Sequence, residues 1–215
     1  MNVLLLHLDG RLPNLALMRL AAHHRRRGDV VTLRRADNPS LIDHGVLDPE
    51  LGDPPWDRIY ASLIFERTRP IARTLLQRRP DAIIGGTGWN VASALEPHGI
   101  ITEALDYSDY PAFRQSIGFT QRGCRLRCSF CVVPRKEGAV REAWSVNEIW
   151  RGEPHPREVI LLDNDFFGQL RWRDRIDELS AGRFKVSFCQ GINARMLTDE
   201  TAAALGLRTN AVKTR

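Results

Sequence analysis

Apolar runs of strand length alternate with stretches of helical period through the first half of the chain, and few folds accommodate that alternation. Val3 to Leu8 is an apolar run with no basic region before it, too short for the core of a signal peptide, and it reads as a first buried strand. Pro13 is placed to open a helix through about Arg27, with Leu15, Leu17, Met18, Leu20 and Ala21 near helical spacing and Gly28 closing it. Val30 to Leu33 predicts a second strand, Arg58 to Phe65 a third, Arg69 to Arg79 a helix and Asp81 to Gly85 a fourth strand. Strand-helix-strand units of this kind build a mostly parallel sheet.

The segment from Val91 to Ala112, with two prolines and weak periodicity, reads as a linker, and the boundary is expected near Tyr110. Two domains follow, 1–110 and 111–215. Beyond the boundary the alternation resumes. Ser116 to Thr120 predicts a strand, Ser145 and Glu148 a capping box opening a helix, and Val159 to Leu162 a strand that ends in Asp163-Asn164-Asp165. Trp172 to Ala181 predicts a helix, Phe184 to Cys189 a strand and Thr198 to Leu205 a last short helix. About three strand-helix units fit here, fewer than a closed barrel requires. The fold class is therefore α/β: a doubly wound parallel sheet of the flavodoxin or Rossmann type, followed by a partial (βα) barrel. The polar ending LRTNAVKTR does not read as a further core strand, which suggests a truncated or diverged barrel.

Composition excludes several classes. With 43% hydrophobic and 27% charged residues the 215-residue chain can bury a core and is not a disordered one. No stretch approaches the roughly 18 apolar residues of a membrane span, so a cytoplasmic protein without a membrane partner is expected. The net charge of +5 is scattered. Its densest groups, Arg25 to Arg27, Arg34-Arg35 and Arg78-Arg79, fall at expected element ends, where cations favour a helix C-terminus, so nucleic acid is not the expected partner.

Three of the four cysteines, Cys124, Cys128 and Cys131, lie within eight residues in GFTQRGCRLRCSFC. That is not disulfide spacing. Clustered thiolates are soft ligands that select zinc, copper(I) or iron-sulfur clusters. Three thiolates leave one iron of a cubane cluster without a protein ligand, open to substrate or cofactor, and the loop follows a strand, at the edge where parallel sheets place ligands.

CxxxCxxC after a strand, with Phe130 just before the last cysteine, resembles the radical S-adenosylmethionine (SAM) superfamily. The resemblance implies that Cys124, Cys128 and Cys131 hold a 4Fe-4S cluster and that Phe130 contacts the adenine of SAM. It also implies reductive cleavage of SAM to a 5'-deoxyadenosyl radical, with an electron donor such as a flavodoxin or ferredoxin as partner. The substrate, a small molecule or a macromolecule, is not legible. By position, Asp163, Asn164 and Asp165 stand where the family receives the methionine ammonium, although its Gly-Gly-Glu form is absent; a helix-capping role for Asp165 is an equal reading. Gln190, Asn193 and Arg195 follow the next strand and are placed to meet the cofactor's ribose and carboxylate, a group whose geometry suits a guanidinium.

The first domain resembles the cobalamin-binding-like domains that precede the core in part of that superfamily. GGTG at Gly85 to Gly88 would let a cofactor's phosphate or corrin tail approach the backbone. The family's cobalt-ligating pattern, an Asp and a His two apart followed by Gly, is missing, since His7-Leu8-Asp9-Gly10 reverses the order, and His7 reads as a satisfied polar residue at a strand end. Cobalamin is thus a possible cofactor without sequence support. A different reading takes Cys189 as the fourth thiolate of a structural zinc site in a non-catalytic, arginine-rich module that binds nucleic acid. Cys189 has no second cysteine beside it, however, and reads as a small buried hydrophobe.

Overall fold

The computed structural model describes residues 1–48 and 55–206, and the chain divides into two compact units, Met1–Phe113 and Arg114 onward. In the first unit β1 (Asn2–His7), α1 (Leu15–Arg26), β2 (Val30–Arg35), α2 (Pro39–Asp43), β3 (Arg58–Ser62), α3 (Arg69–Arg78) and β4 (Ile83–Gly85) follow in order. The strands form one parallel sheet ordered β2-β1-β3-β4. Leu5 pairs with Leu33 on one side and Tyr60 on the other, so the apolar first strand lies at the sheet's centre.

Side-chain alternation along β1 splits its residues between two cores. Leu4, Leu6 and Leu8 join Ile59, Ala61, Ile42, Ile71 and Leu75 under α2 and α3, whereas Val3 and Leu5 join Tyr60, Leu17, Leu20 and Ala21 under α1. Helices therefore cover both faces of this parallel sheet, as an α/β unit requires.

Three local expectations change. The first helix starts at Leu15, because Asn14 is its cap: the Asn14 Oδ1 accepts from the N–H of Ala16 and Leu17 at 3.1 and 3.2 Å, and its Nδ2 donates to the Ser62 Oγ at 2.9 Å. The third strand ends at Ser62 instead of Phe65, since the Asp9 carboxylate takes the amides of Ile64 and Phe65 and so bends that backbone out of the ladder. The segment expected as a linker packs along α1: Ile100 is in the core, Arg25 pairs with Asp106 and Asp109, and the Tyr110 hydroxyl accepts from the Asn14 N–H.

His7, expected to be satisfied, is only half so. Its Nδ1 lies 3.3 Å from a guanidinium nitrogen of Arg35, which can only donate, so Nδ1 accepts and the proton sits on Nε2. That Nε2 is buried without a partner among the described residues. Burial first, and Arg35 second, push the pKa down to about 4 from 6.5. A folded-state pKa below the unfolded one means that the unfolded chain takes up the proton first, so this contribution is present above pH 6.5 and is lost as pH falls toward 4. It amounts to about 3 kcal/mol. His7→Gln is expected to make the unit less acid-sensitive across that window, measured by hydrogen exchange of β1 and β3; an unchanged pH profile would remove His7 as the cause.

The second unit carries β5 (Ser116–Gly118), β6 (Gln121–Arg122), α4 (Val133–Lys136), β7 (Arg141–Glu142), α5 (Val146–Ile149), β8 (Glu158–Leu161), α6 (Trp172–Ala181), β9 (Lys185–Phe188) and α7 (Asp199–Gly206). β5, β8 and β9 form a parallel sheet in that order, and β6 pairs antiparallel with β7. No closed barrel forms among the described residues. Val159, Leu161 and Val186 pack against Val146 and Ile149 of α5, Ile176 and Leu179 of α6 and Ala204 of α7. The capping box at Ser145 and Glu148 is present, though α5 is a single turn. The ending from Leu207 lies outside the described residues.

Candidate metal and cofactor site

The cysteine loop leaves the C-terminal end of β5 and is pinned at its root. Parallel sheets put ligands at this edge because the loops there diverge and leave a crevice. The β6·β7 pairing brings the two ends of the loop together, with Gln121 opposite Glu142 and Arg122 opposite Arg141. Across that neck Arg122 donates to both carboxylate oxygens of Glu137, at 2.6 and 2.5 Å. Gly123 fits because it has no side chain: a Cβ there would stand 2.2 Å from the Ala139 carbonyl oxygen.

Within the loop Cys124 and Cys131 are half-buried, Cys128 is exposed, and all three are free thiols. The Leu126 N–H donates to the Cys124 sulfur at 3.4 Å, and the Cys131 N–H to the Cys128 carbonyl at 3.0 Å. Burial raises the Cys124 thiol above its ordinary value, helped by the negative charge of Asp165 and the other two thiols. Metal binding at Cys124 therefore has to displace a proton. Among the described residues no group of three or more His, Cys, Asp or Glu side chains is drawn together to hold a metal. The donor set nevertheless suits a cluster: three soft ligands share one short loop, and an amide already donates to a sulfur, the contact that stabilises thiolate charge in such sites. Cys189, expected to be buried, is exposed at the end of β9, an element separate from the loop.

The expected cofactor contacts are dispersed. Phe130 is 91% exposed beside Cys131, and Gln190 and Arg195 are exposed after β9. Asn164 is half-buried. Asn193 caps a 3-10 turn, its side-chain oxygen accepting from the Arg195 N–H at 3.1 Å. Asp163 is buried and bonded to the start of the cysteine loop: one oxygen accepts from the Thr120 N–H at 2.7 Å, and the other meets the Thr120 hydroxyl. Burial pushes its pKa up to about 6 against those hydrogen bonds. Asp165 caps no helix through its side chain. It is buried and pairs with the Arg125 guanidinium at 3.0 Å, and its carboxylate also accepts from the Arg125 N–H at 3.3 Å.

Sequence reasoning missed Thr120, Arg125 and Gln169, whose Nε2 donates to the Thr120 hydroxyl at 3.0 Å. It also missed Gln121, wholly buried with neither amide atom partnered among the described residues. Nothing in their spacing marks them.

At the corresponding edge of the first unit, the glycines expected to admit a cofactor are taken up by packing. A Cβ on Gly86 or Gly88 would lie 2.1 Å from the Leu63 carbonyl oxygen or 2.6 Å from the Phe65 backbone. His7 is fully enclosed. These residues do not build a corrin site.

The fold and the site thus define an α/β protein of two parallel-sheet units, the second bearing a three-thiol loop at the C-terminal edge of its sheet. Among solved structures the chain is similar to the radical S-adenosylmethionine methyltransferase TsrM from Kitasatospora setae, determined with cobalamin and a 4Fe-4S cluster bound. The match has a TM-score of 0.61 and 12% identity over 99% of this chain and 59% of that one. The same enzyme with its tryptophan substrate and the SAM analogue aza-SAM matches with a TM-score of 0.59 and 13% identity, over 99% of this chain and 58% of that one. The chain spans less than two thirds of these enzymes, and at such identity the likeness is one of fold. No family model matches the sequence, and no curated protein is significantly similar to it. No helix among the described residues is long and apolar enough to cross a membrane.

Proposed function

We propose that Cys124, Cys128 and Cys131 hold a 4Fe-4S cluster, that SAM binds beside it, and that the chain carries the SAM-cleaving part of a radical SAM enzyme. The observation that carries this reading is the placement of three free thiols on one pinned loop at the C-terminal edge of β5. Such a cluster supplies the electron for reductive cleavage of the SAM sulfonium. An external donor such as a flavodoxin or ferredoxin delivers that electron.

The chain's own residues bind and orient. Leu126 donates its amide to the Cys124 sulfur and favours the thiolate there. Phe130 offers an exposed ring on which adenine can stack. Arg195 presents an exposed guanidinium for a carboxylate, with Gln190 and Asn164 beside the same sheet edge as hydrogen-bonding groups. Asp163 and Asp165 have oxygens engaged within the protein, so their contribution to SAM binding is the smaller one.

The arginine-rich zinc module has less support. Arg25, Arg78, Arg79 and Arg173 are each paired with carboxylates of their own unit, which offsets the charge they would offer to phosphates.

The test is anaerobic reconstitution, followed by iron, sulfide and zinc analysis and an assay for 5'-deoxyadenosine after addition of SAM and a reductant. Stoichiometric iron and sulfide with deoxyadenosine is the expected result, and zinc without iron would overturn it.

A further inference from the structure

The two carboxylates that close β8 face the cysteine loop's entry. Asp163 accepts from the backbone N–H groups of Thr120 and Gln121, at 2.7 and 3.4 Å, and contacts the Thr120 hydroxyl, which Gln169 holds from its other side. Asp165 takes both the N–H and the guanidinium of Arg125, the residue directly after the first cysteine. Gly168 makes room for this: a Cβ there would stand 2.2 Å from the Asp165 carboxylate. Contacts over forty or more residues of separation are thereby spent on six residues of loop, Thr120 to Arg125.

We infer that Asp163, through Thr120, and Asp165, through Arg125, are positioning residues that fix where the Cys124 sulfur stands, and so set cluster retention and potential. This rests on the cluster reading above. A ligand's sulfur can be held only as firmly as the backbone that carries it. Here that backbone has a carboxylate on each side of Cys124, one before it and one immediately after.

The test uses the full chain with Asp165→Asn, Arg125→Gln and the double variant. Arg125 is exposed, so its substitution leaves the core intact even if Asp165→Asn weakens folding. After reconstitution each single variant is expected to lose iron to a chelator about tenfold faster than wild type, the usual range for an outer-sphere partner. The double variant should be little faster than the worse single, because both break the Arg125–Asp165 ion pair. The midpoint potential and the electron paramagnetic resonance signal of the reduced cluster should shift together in all three, which loss of stability alone would not produce. Wild-type retention and potential in Arg125→Gln, or additive losses in the double variant, would overturn the inference. Should wild type take up no iron and sulfide, the cluster reading fails, and amide exchange of the apo chain still decides the clamp. Faster exchange at Cys124 to Leu126 in Asp165→Asn then supports it, and unchanged exchange refutes it.

Discussion

Cys128→Ala protein, reconstituted anaerobically, is expected to retain almost no cluster iron or sulfide and to form no 5'-deoxyadenosine. Cubane clusters need their thiolates, and the loop has three to give. Cys128 is the informative choice because its side chain is exposed and no core packing rests on it. The apo variant should therefore keep wild-type circular dichroism and melting, separating a ligand effect from a folding one. Cys189→Ala is the control. Exposed at the end of β9, it should leave iron and sulfide unchanged, whereas a four-thiolate zinc site would lose its metal in both variants. Stoichiometric iron and sulfide in Cys128→Ala would show that the ligands are misassigned.

Gly86→Ala is expected to cost the first unit at least about 3 kcal/mol, the scale of backbone collision combined with left-handed strain. Gly86 has φ +96°, and its missing Cβ would lie 2.1 Å from the Leu63 carbonyl oxygen and 2.9 Å from its carbon. That carbonyl cannot retreat, since the Leu63 N–H is bonded to the Gly85 carbonyl and the Leu63 oxygen accepts from the Gly88 N–H. Gly28→Ala supplies the comparison. At φ +82° with nothing within 4 Å of the added carbon, it carries the conformational penalty alone, about 1 kcal/mol. Urea unfolding followed through the amide protection of β1 and β3 measures both. Equal midpoints for the two variants would mean that the close approach at Gly86 is not rigid.

Much of the first unit was legible because its signals are local. The apolar run of β1, the helical period of α1 and the glycine after it each act within about a dozen residues, and the parallel sheet follows from their alternation. What failed there failed for one physical reason. Asp9 and Arg25 have ordinary local surroundings, yet partners far along the chain recruit them, to bend the exit of β3 and to fasten the segment 91–113, and Asn14, whose cap bonds to Ala16 and Leu17 are local, is held in place by Ser62 of β3. Hydrogen bonds formed across a fold leave no periodic trace.

The same division holds at the candidate site. The sequence by itself determined the three-thiol loop, since spacing of four and three residues is covalent and survives any packing. It determined as well that this loop follows a strand of a parallel sheet. The roles of the residues around the loop were decided only in three dimensions. Registering Gly118 against Leu161 brings Thr120 to Asp163 and carries Arg125 within reach of Asp165. A carboxylate read from position as a contact for an incoming ammonium thus has its oxygens turned to the chain's own amides. Burial makes an unpaired charge too costly to leave, so the pairing that tertiary structure supplies decides what such a group does.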